Sequence, residues 1–218
     1  MKFALTVLMA LAVASPLYAY KLPSTGSGAL AKEFQDILDL IPLSKIIELA
    51  KAYQAQDKEF QTTMGLVMSE ESKQYVRAIE AAPEFKDLMN YIQNAGLDIH
   101  SLLDILNKSL NLEPFIPFVF HGKITGGIKG FIKDISNLMP IDELTTMVDN
   151  KRKTSEVFNN FIEQIVSPKN VQFFKSIMTN EHKMNLIEEA EKEGIDGFIF
   201  DTYYLFFLSG VPILMGRM

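Results

Sequence analysis

The strongest constraint on the fold of this chain is that its sequence matches itself at a shift of 98 residues, without a gap. Asp36-Ile37 falls on Asp134-Ile135, Leu40 on Leu138 and Pro42 on Pro140. Phe60 falls on Phe158, Ser69 on Ser167, Gln74 on Gln172, Ile79 on Ile177 and Leu88 on Leu186. The joint "NAGLDIHSLL" (94–103) returns as "KEGIDGFIF" (192–200), with Gly96 and Asp98 on Gly194 and Asp196. Leu110 and Pro114 meet Leu208 and Pro212. The shared residues are helix breakers, caps and apolar positions, where two copies of one fold retain identity. Tandem duplication of a single unit is the implied architecture.

The unit reads as helical throughout. Ile37, Leu40 and Ile41 share one face, and Leu43, Ile46, Ile47, Ala50 and Tyr53 follow the three-and-four rhythm of an amphipathic helix. The same rhythm runs through Phe60, Met64 and Val67, then Tyr75, Val76 and Ile79, then Phe85, Leu88, Met89 and Ile92. No sustained alternation of period two occurs, so the fold class is all-α. Pro42 suits a first helical turn, and Ser69 can cap a helix with Glu70 and Glu71 near its positive end. Gly96 can adopt the left-handed conformation that ends a helix, Leu97 can pack back on it, and Asp98 can cap the next one. The first copy should therefore hold about six segments, starting near residues 30, 43, 57, 70, 83 and 98.

The first residues, "MKFALTVLMALAVASPLYAY", have a basic start, an apolar run from Phe3 to Ala14 and a small-residue exit. The run is too short for a bilayer span and reads as a secretory signal, with cleavage after Ala19 or, as second choice, Ser15. The division that follows is a signal peptide over 1–19, a flexible leader over 20–29 and a first helical repeat over 30–112. A connector follows over 113–127, and a second repeat over 128–218 closes with the first into one globular unit. Loss of Lys2 takes the formal net charge from −6 to −7, and an acidic chain without a basic stripe argues against nucleic acid as partner. With no cysteine, the fold must be held by packing, and thiol catalysis and thiolate metal sites are excluded.

"DILDLIPLSKIIELAKAYQAQDKEFQ", "PEFKDLMNYIQNAGLDI" and "GIKGFIKDISNLMP" together resemble the insect allergen-related repeat family. That family includes the group 1 cockroach allergens and secreted midgut microvillar proteins of insects. The resemblance spans about residues 30 to 210. It implies two six-helix repeats, about twelve helices, curving round one large apolar cavity that holds fatty acids or phospholipid acyl chains. A related branch specifies nitriles in plant-feeding caterpillars. Lys151, standing where the first copy has Tyr53, and "TNEHKMN", standing in place of "APEFKDL", are departures within the second repeat.

Periodicity alone admits both a filled core and a hollow, and interiors normally fill themselves. The resemblance favours the hollow, whose lining falls to the apolar positions shared by both copies: Ile37, Phe60, Ile79, Leu88, Ile135, Phe158, Ile177 and Leu186. The expected protein is a secreted lipid binder of the insect midgut lumen or microvillar surface. Its partners would be fatty acids or phospholipids, with transient membrane contact, and it would need no cofactor. Two alternatives remain: a membrane-disrupting lipid exchanger, and a nitrile-specifier-like detoxification factor.

No catalytic set emerges from the sequence, so the chain is not read as an enzyme. His100, His121 and His182 lie far apart, without a histidine or carboxylate at ligand spacing, and read as surface or capping residues rather than metal ligands. "GKITGGIKG" (122–130) has Ile128 where a phosphate loop needs lysine, and reads as a turn-rich connector. Asn107-Lys108-Ser109 is a glycosylation sequon placed on a helix. The apolar run Ile195–Met215 is broken by Asp201, Gly210 and Pro212, and reads as a last helix rather than a membrane tail.

Overall fold

The computed structural model of the chain describes residues 21–109 and 123–209. The signal, the apolar part of the connector, His121 and the residues from 210 onward lie outside the described residues.

Helical periodicity and local breakers produce twelve helices among the described residues. The first half contains α1 (Ala29–Leu40), α2 (Leu43–Gln56), α3 (Lys58–Val67), α4 (Glu70–Ala81), α5 (Pro83–Asn94) and α6 (Ile99–Ser109). The second contains α7 (Gly127–Leu138), α8 (Ile141–Thr154), α9 (Glu156–Ile165), α10 (Pro168–Met178), α11 (Glu181–Lys192) and α12 (Gly197–Ser209). Every helix of the second half starts 98 residues after its counterpart in the first. The second repeat begins at Gly127, one residue inside the span assigned to the connector. Asn107 lies within α6, and no described helix is long and apolar enough to cross a membrane.

The caps are local chemistry at matching places. Asp57 accepts from the Phe60 amide at 2.8 Å, and its counterpart Ser155 accepts from Phe158 at 3.3 Å. Ser69 and Ser167 each accept from the amide three residues on. Gly96 and Gly194 both have positive φ, 106° and 79°, and stop α5 and α11 as the sequence predicts. Asp98 then holds Ser101 through its amide and hydroxyl.

The segment before α1 departs from the expected flexible leader. Leu22 is buried, and its amide donates to Gln35 Oε1 at 2.8 Å. Asp98 N donates to the Pro23 carbonyl at 3.0 Å, Thr25 N to Gly96 O at 3.2 Å, and Ser24 bridges to Leu97. An apolar Leu22 and a glycine at the joint explain the docking, because a Cβ on Gly96 would lie 2.7 Å from the Ala29 nitrogen. Only a bare backbone lets the two strands approach this closely.

The halves interlock reciprocally. Helices α2 and α3 pack on α7, the first helix of the other half; in return α8 and α9 pack on α1. Likewise α4 packs on α11 and α10 on α5. Each of these contacts has its partner with the halves exchanged, the relation found in an isologous dimer. The buried apolar side chains form one cluster spanning both halves.

Candidate functional site

The eight positions proposed from the sequence converge on that shared interior. Ile37, Phe60, Ile79, Leu88, Ile135, Phe158 and Leu186 are buried members of the cluster, and Ile177 is half-buried against it. Phe60 meets Tyr53 and Phe131 at centroid distances of 5.5 and 4.6 Å. Phe158 meets Phe34 and Phe161 at 6.0 and 6.4 Å. Each phenylalanine thus packs, ring edge towards face or tilted, on the first helix of the opposite half, through Phe131 of α7 or Phe34 of α1.

Two polar seams flank these aromatics. At the first, Tyr53 Oη donates to Asp134 Oδ2 at 2.6 Å, and Thr125 donates to the same carboxylate through its amide and hydroxyl. The α7 amino end is capped from the other half: Gly127 N donates to Asp57 at 2.6 Å and Ile128 N to Glu59 at 3.0 Å. Burial, helped by the bond to Asp134, pushes the Tyr53 hydroxyl up to about 12. Burial alone would raise the Asp134 carboxyl, but hydrogen bonds from Thr125 and Tyr53 outweigh it and hold the group below its ordinary value.

At the second seam Lys151 occupies the tyrosine's place. Its ammonium bonds Glu33 at 2.5 Å and Asp36 at 2.6 Å, with Ser155 donating to the other Glu33 oxygen. Burial would lower the lysine, yet the bonds to Asp36 and Glu33 raise it. Beside it lies an open groove of about 780 Å³ between α1 and α8, walled by Asp36, Asp39, Asp142 and Glu143 with Leu40 and Met147. This groove is open to solvent and carries four carboxylates, and so differs in kind from the enclosed apolar cavity that the resemblance implies.

Two outer contacts repeat the reciprocity with different groups. Lys169 of α10 pairs with Asp87 of α5 at 2.5 Å. The counterpart of Lys169 is Glu71 of α4, which accepts from Asn185 of α11, the counterpart of Asp87, at 2.9 Å. Glu71 also lies 2.7 Å from His182 Nδ1. The Asn185 and His182 bonds hold the Glu71 carboxyl below its ordinary value. His182 therefore has a carboxylate neighbour 111 residues away in sequence, which no local spacing could reveal. Among the described residues no group of three metal-ligating side chains converges.

A third polar group belongs to one half only. Lys183 of α11 is almost wholly buried, with its ammonium 2.7 Å from Asp201 Oδ1 of α12 and 3.2 Å from the Met178 carbonyl. Nearby, Tyr75 donates to the Ile177 carbonyl at 2.9 Å, and the Tyr204 and Ser72 hydroxyls share a 2.7 Å bond. Burial pushes both tyrosines above their ordinary range. The first half fills the matching positions with Phe85 and Leu103. Sequence reading missed both seams and this pair, although the 98-residue shift had already placed Asp36 on Asp134 and Tyr53 on Lys151.

Two interlocked six-helix halves sharing one apolar interior define an all-α helical-repeat protein. The match to known proteins is more specific. The family model described as insect allergen related repeat, nitrile-specifier detoxification, covers residues 29–198, and the chain belongs to that family. It is also similar to Protein G12 of Anopheles gambiae, 28% identical over 172 residues, which cover 77% of this chain and 82% of the relative.

Proposed function

We propose that this chain is a secreted insect protein, of the midgut lumen or microvillar surface, that holds fatty acids or phospholipid acyl chains between its two halves. The reading is supported above all by the way the halves meet. Both contribute equivalent apolar side chains to one interior, and the paired seams keep the helices around it in register. Each methylene taken from water into such an interior is favourable by about 0.8 kcal/mol, so acyl chains need few polar contacts. Family membership points the same way. Organic extraction of the purified full-length mature protein, followed by mass spectrometry, tests the reading. An acyl lipid in stoichiometric amount is the expected result; a protein that carries none and takes up none from solution refutes it.

Two other readings make separate demands. A membrane-disrupting exchanger would release dye from loaded liposomes at micromolar protein. The description of the matching family favours a nitrile-specifying detoxification role, which would require altered products when glucosinolate breakdown proceeds in its presence.

A further inference from the structure

The duplication supplies an internal control for surfaces as well as for the core. Exposed apolar side chains scattered singly need no explanation, whereas several on one face mark a contact surface. Among the described residues the large apolar side chains left exposed all belong to the second half: Ile141, Val166, Val171, Met178, Met184 and Phe198. At the places of Val171, Met178, Met184 and Phe198 the first half has Lys73, Glu80, Lys86 and His100. One fold thus carries a solvated face in one copy and an apolar face in the other. Its helices do not impose the exposure.

Helix α10 concentrates the difference. In its counterpart α4, Glu70 binds Arg77 at 2.6 Å and lies 3.9 Å from Lys73, so the charges there close on one another. In α10 Pro168 takes the place of Glu70, Val171 that of Lys73 and Met178 that of Glu80, while Lys175 keeps the cation of Arg77. Val171, Lys175 and Met178 are all exposed, and their spacing of four and three sets them along a single face. Gln172 and Ser176, also exposed, are neutral. In a chain of net charge −6, α10 has two lysines and no carboxylate; α4 has three glutamates. The other lysine of α10, Lys169, is engaged by Asp87 of α5. On the inner side Phe173 is buried in the shared interior, and Phe174 and Ile177 pack against it.

We infer that the outer face of α10, with Met184 at the start of α11, docks the protein on an anionic phospholipid bilayer. Val171 and Met178 enter the boundary between head groups and acyl chains. Lys175, between them, lays its methylene stem along the apolar surface and carries its ammonium to the phosphates. The lysine at the centre of the stripe selects this partner over another protein. Lysine is depleted from protein–protein interface cores, where its ammonium would lose water, whereas at a bilayer the head-group layer receives it. The docking face stands apart from what the interior holds, and it sets that interior one helix away from the membrane.

The test is sedimentation of full-length mature protein with vesicles of phosphatidylcholine, alone or mixed with phosphatidylserine. Wild type should bind both and prefer the mixed vesicles. Val171→Lys/Met178→Glu, which copies the first half, should weaken binding to both by about tenfold, because burial of two partly exposed apolar side chains is lost. Lys175→Glu should cost about twentyfold on the mixed vesicles and little on the neutral ones, each unit charge near an anionic surface being worth about fivefold. The same reversal at the equivalent place, Arg77→Glu, should change binding far less. All substituted positions are exposed, and circular dichroism with thermal melting confirms that the helices remain. Wild type that binds neither vesicle overturns the docking face, as does a folded Val171→Lys/Met178→Glu variant that binds as wild type does. A concentration-dependent dimer without vesicles, abolished by the same double change, assigns the face to a second copy and also overturns it. Organic extraction reads the interior separately, so loss of docking with retained acyl lipid leaves the carrier reading in place.

Discussion

Tyr53 and Lys151 occupy equivalent places in the two halves and end on equivalent aspartates, Asp134 and Asp36, both at 2.6 Å. The chemistry around them has diverged. The tyrosine is neutral, and its aspartate is satisfied by Thr125, while Asp57 and Glu59 cap the start of α7. The lysine is cationic and takes Glu33 as a second carboxylate, with Ser155 completing the set. Position and partner have been retained while the group that makes the bond has changed. The outer contacts teach the same lesson, since lysine on aspartate at one becomes glutamate on asparagine and histidine at the other. What the two halves share is the contact surface, and the pairing chemistry is free to vary upon it.

The most severe way to break this equivalence is to empty one half of its central aromatic. Phe60 and Phe158 are both almost fully buried and each lies against the opposite half. Replacing either by alanine should cost about 3–5 kcal/mol in urea unfolding. The two values should agree within about 1 kcal/mol if the seams are energetically alike. A large difference would show that one half carries the fold and the other follows.

A smaller effect contrasts the polar and apolar solutions at the α11–α12 junction. Asp201→Leu alone leaves Lys183 buried without its counter-charge and should cost about 3 kcal/mol at neutral pH. Adding Lys183→Phe should recover most of that loss, because the pair then copies Phe85 and Leu103. If the double variant is no more stable than the single one, the halves are less interchangeable than their helix positions suggest.

The two hinge glycines give a sharper comparison still. Gly194 has open space where a side chain would go, so Gly194→Ala carries only the left-handed penalty of about 1 kcal/mol. Gly96 has a φ of 106° and the Ala29 backbone 2.7 Å from the added carbon. Gly96→Ala should therefore cost about 3 kcal/mol and free the docked segment before α1, which hydrogen exchange at Thr25 would report.

Much of this was readable from the chain. Helix starts were placed within one residue, because prolines, glycines and capping side chains act locally and leave their mark at fixed offsets. Seven of the eight apolar positions singled out from the shift are buried, because burial is what retains identity across a duplication. Contacts between halves were not legible. Nothing near Lys151 in sequence indicates Glu33, and nothing near Glu71 indicates His182. The reading of residues 20–29 as a flexible leader missed the docking of Leu22 to Thr25 for the same reason, since this segment and the Gly96 joint meet only in the folded chain. Composition marked the segment as polar and flexible, and a tertiary contact overrode it.

The mildest perturbation, Tyr53→Phe, isolates the hydroxyl of the first seam. Thr125 still supplies two bonds to Asp134, so the loss should be about 1 kcal/mol at neutral pH. Its pH dependence is more diagnostic. The Tyr53 hydroxyl is raised from 10 to about 12 in the folded chain. Its contribution is thus complete below pH 10 and lost as pH rises towards 12, where the unfolded chain ionises first. The variant should lack that share of the alkaline decline, while Lys151, Tyr75 and Tyr204, also raised, retain theirs. At the acid end Asp134 is held low, so its contribution is present above 3.8 and disappears as pH falls through the depressed value. Removing the Tyr53 bond should move that acid loss towards higher pH. If neither limb shifts, the Tyr53 bond does not hold this seam, and the capping of α7 by Asp57 and Glu59 carries it.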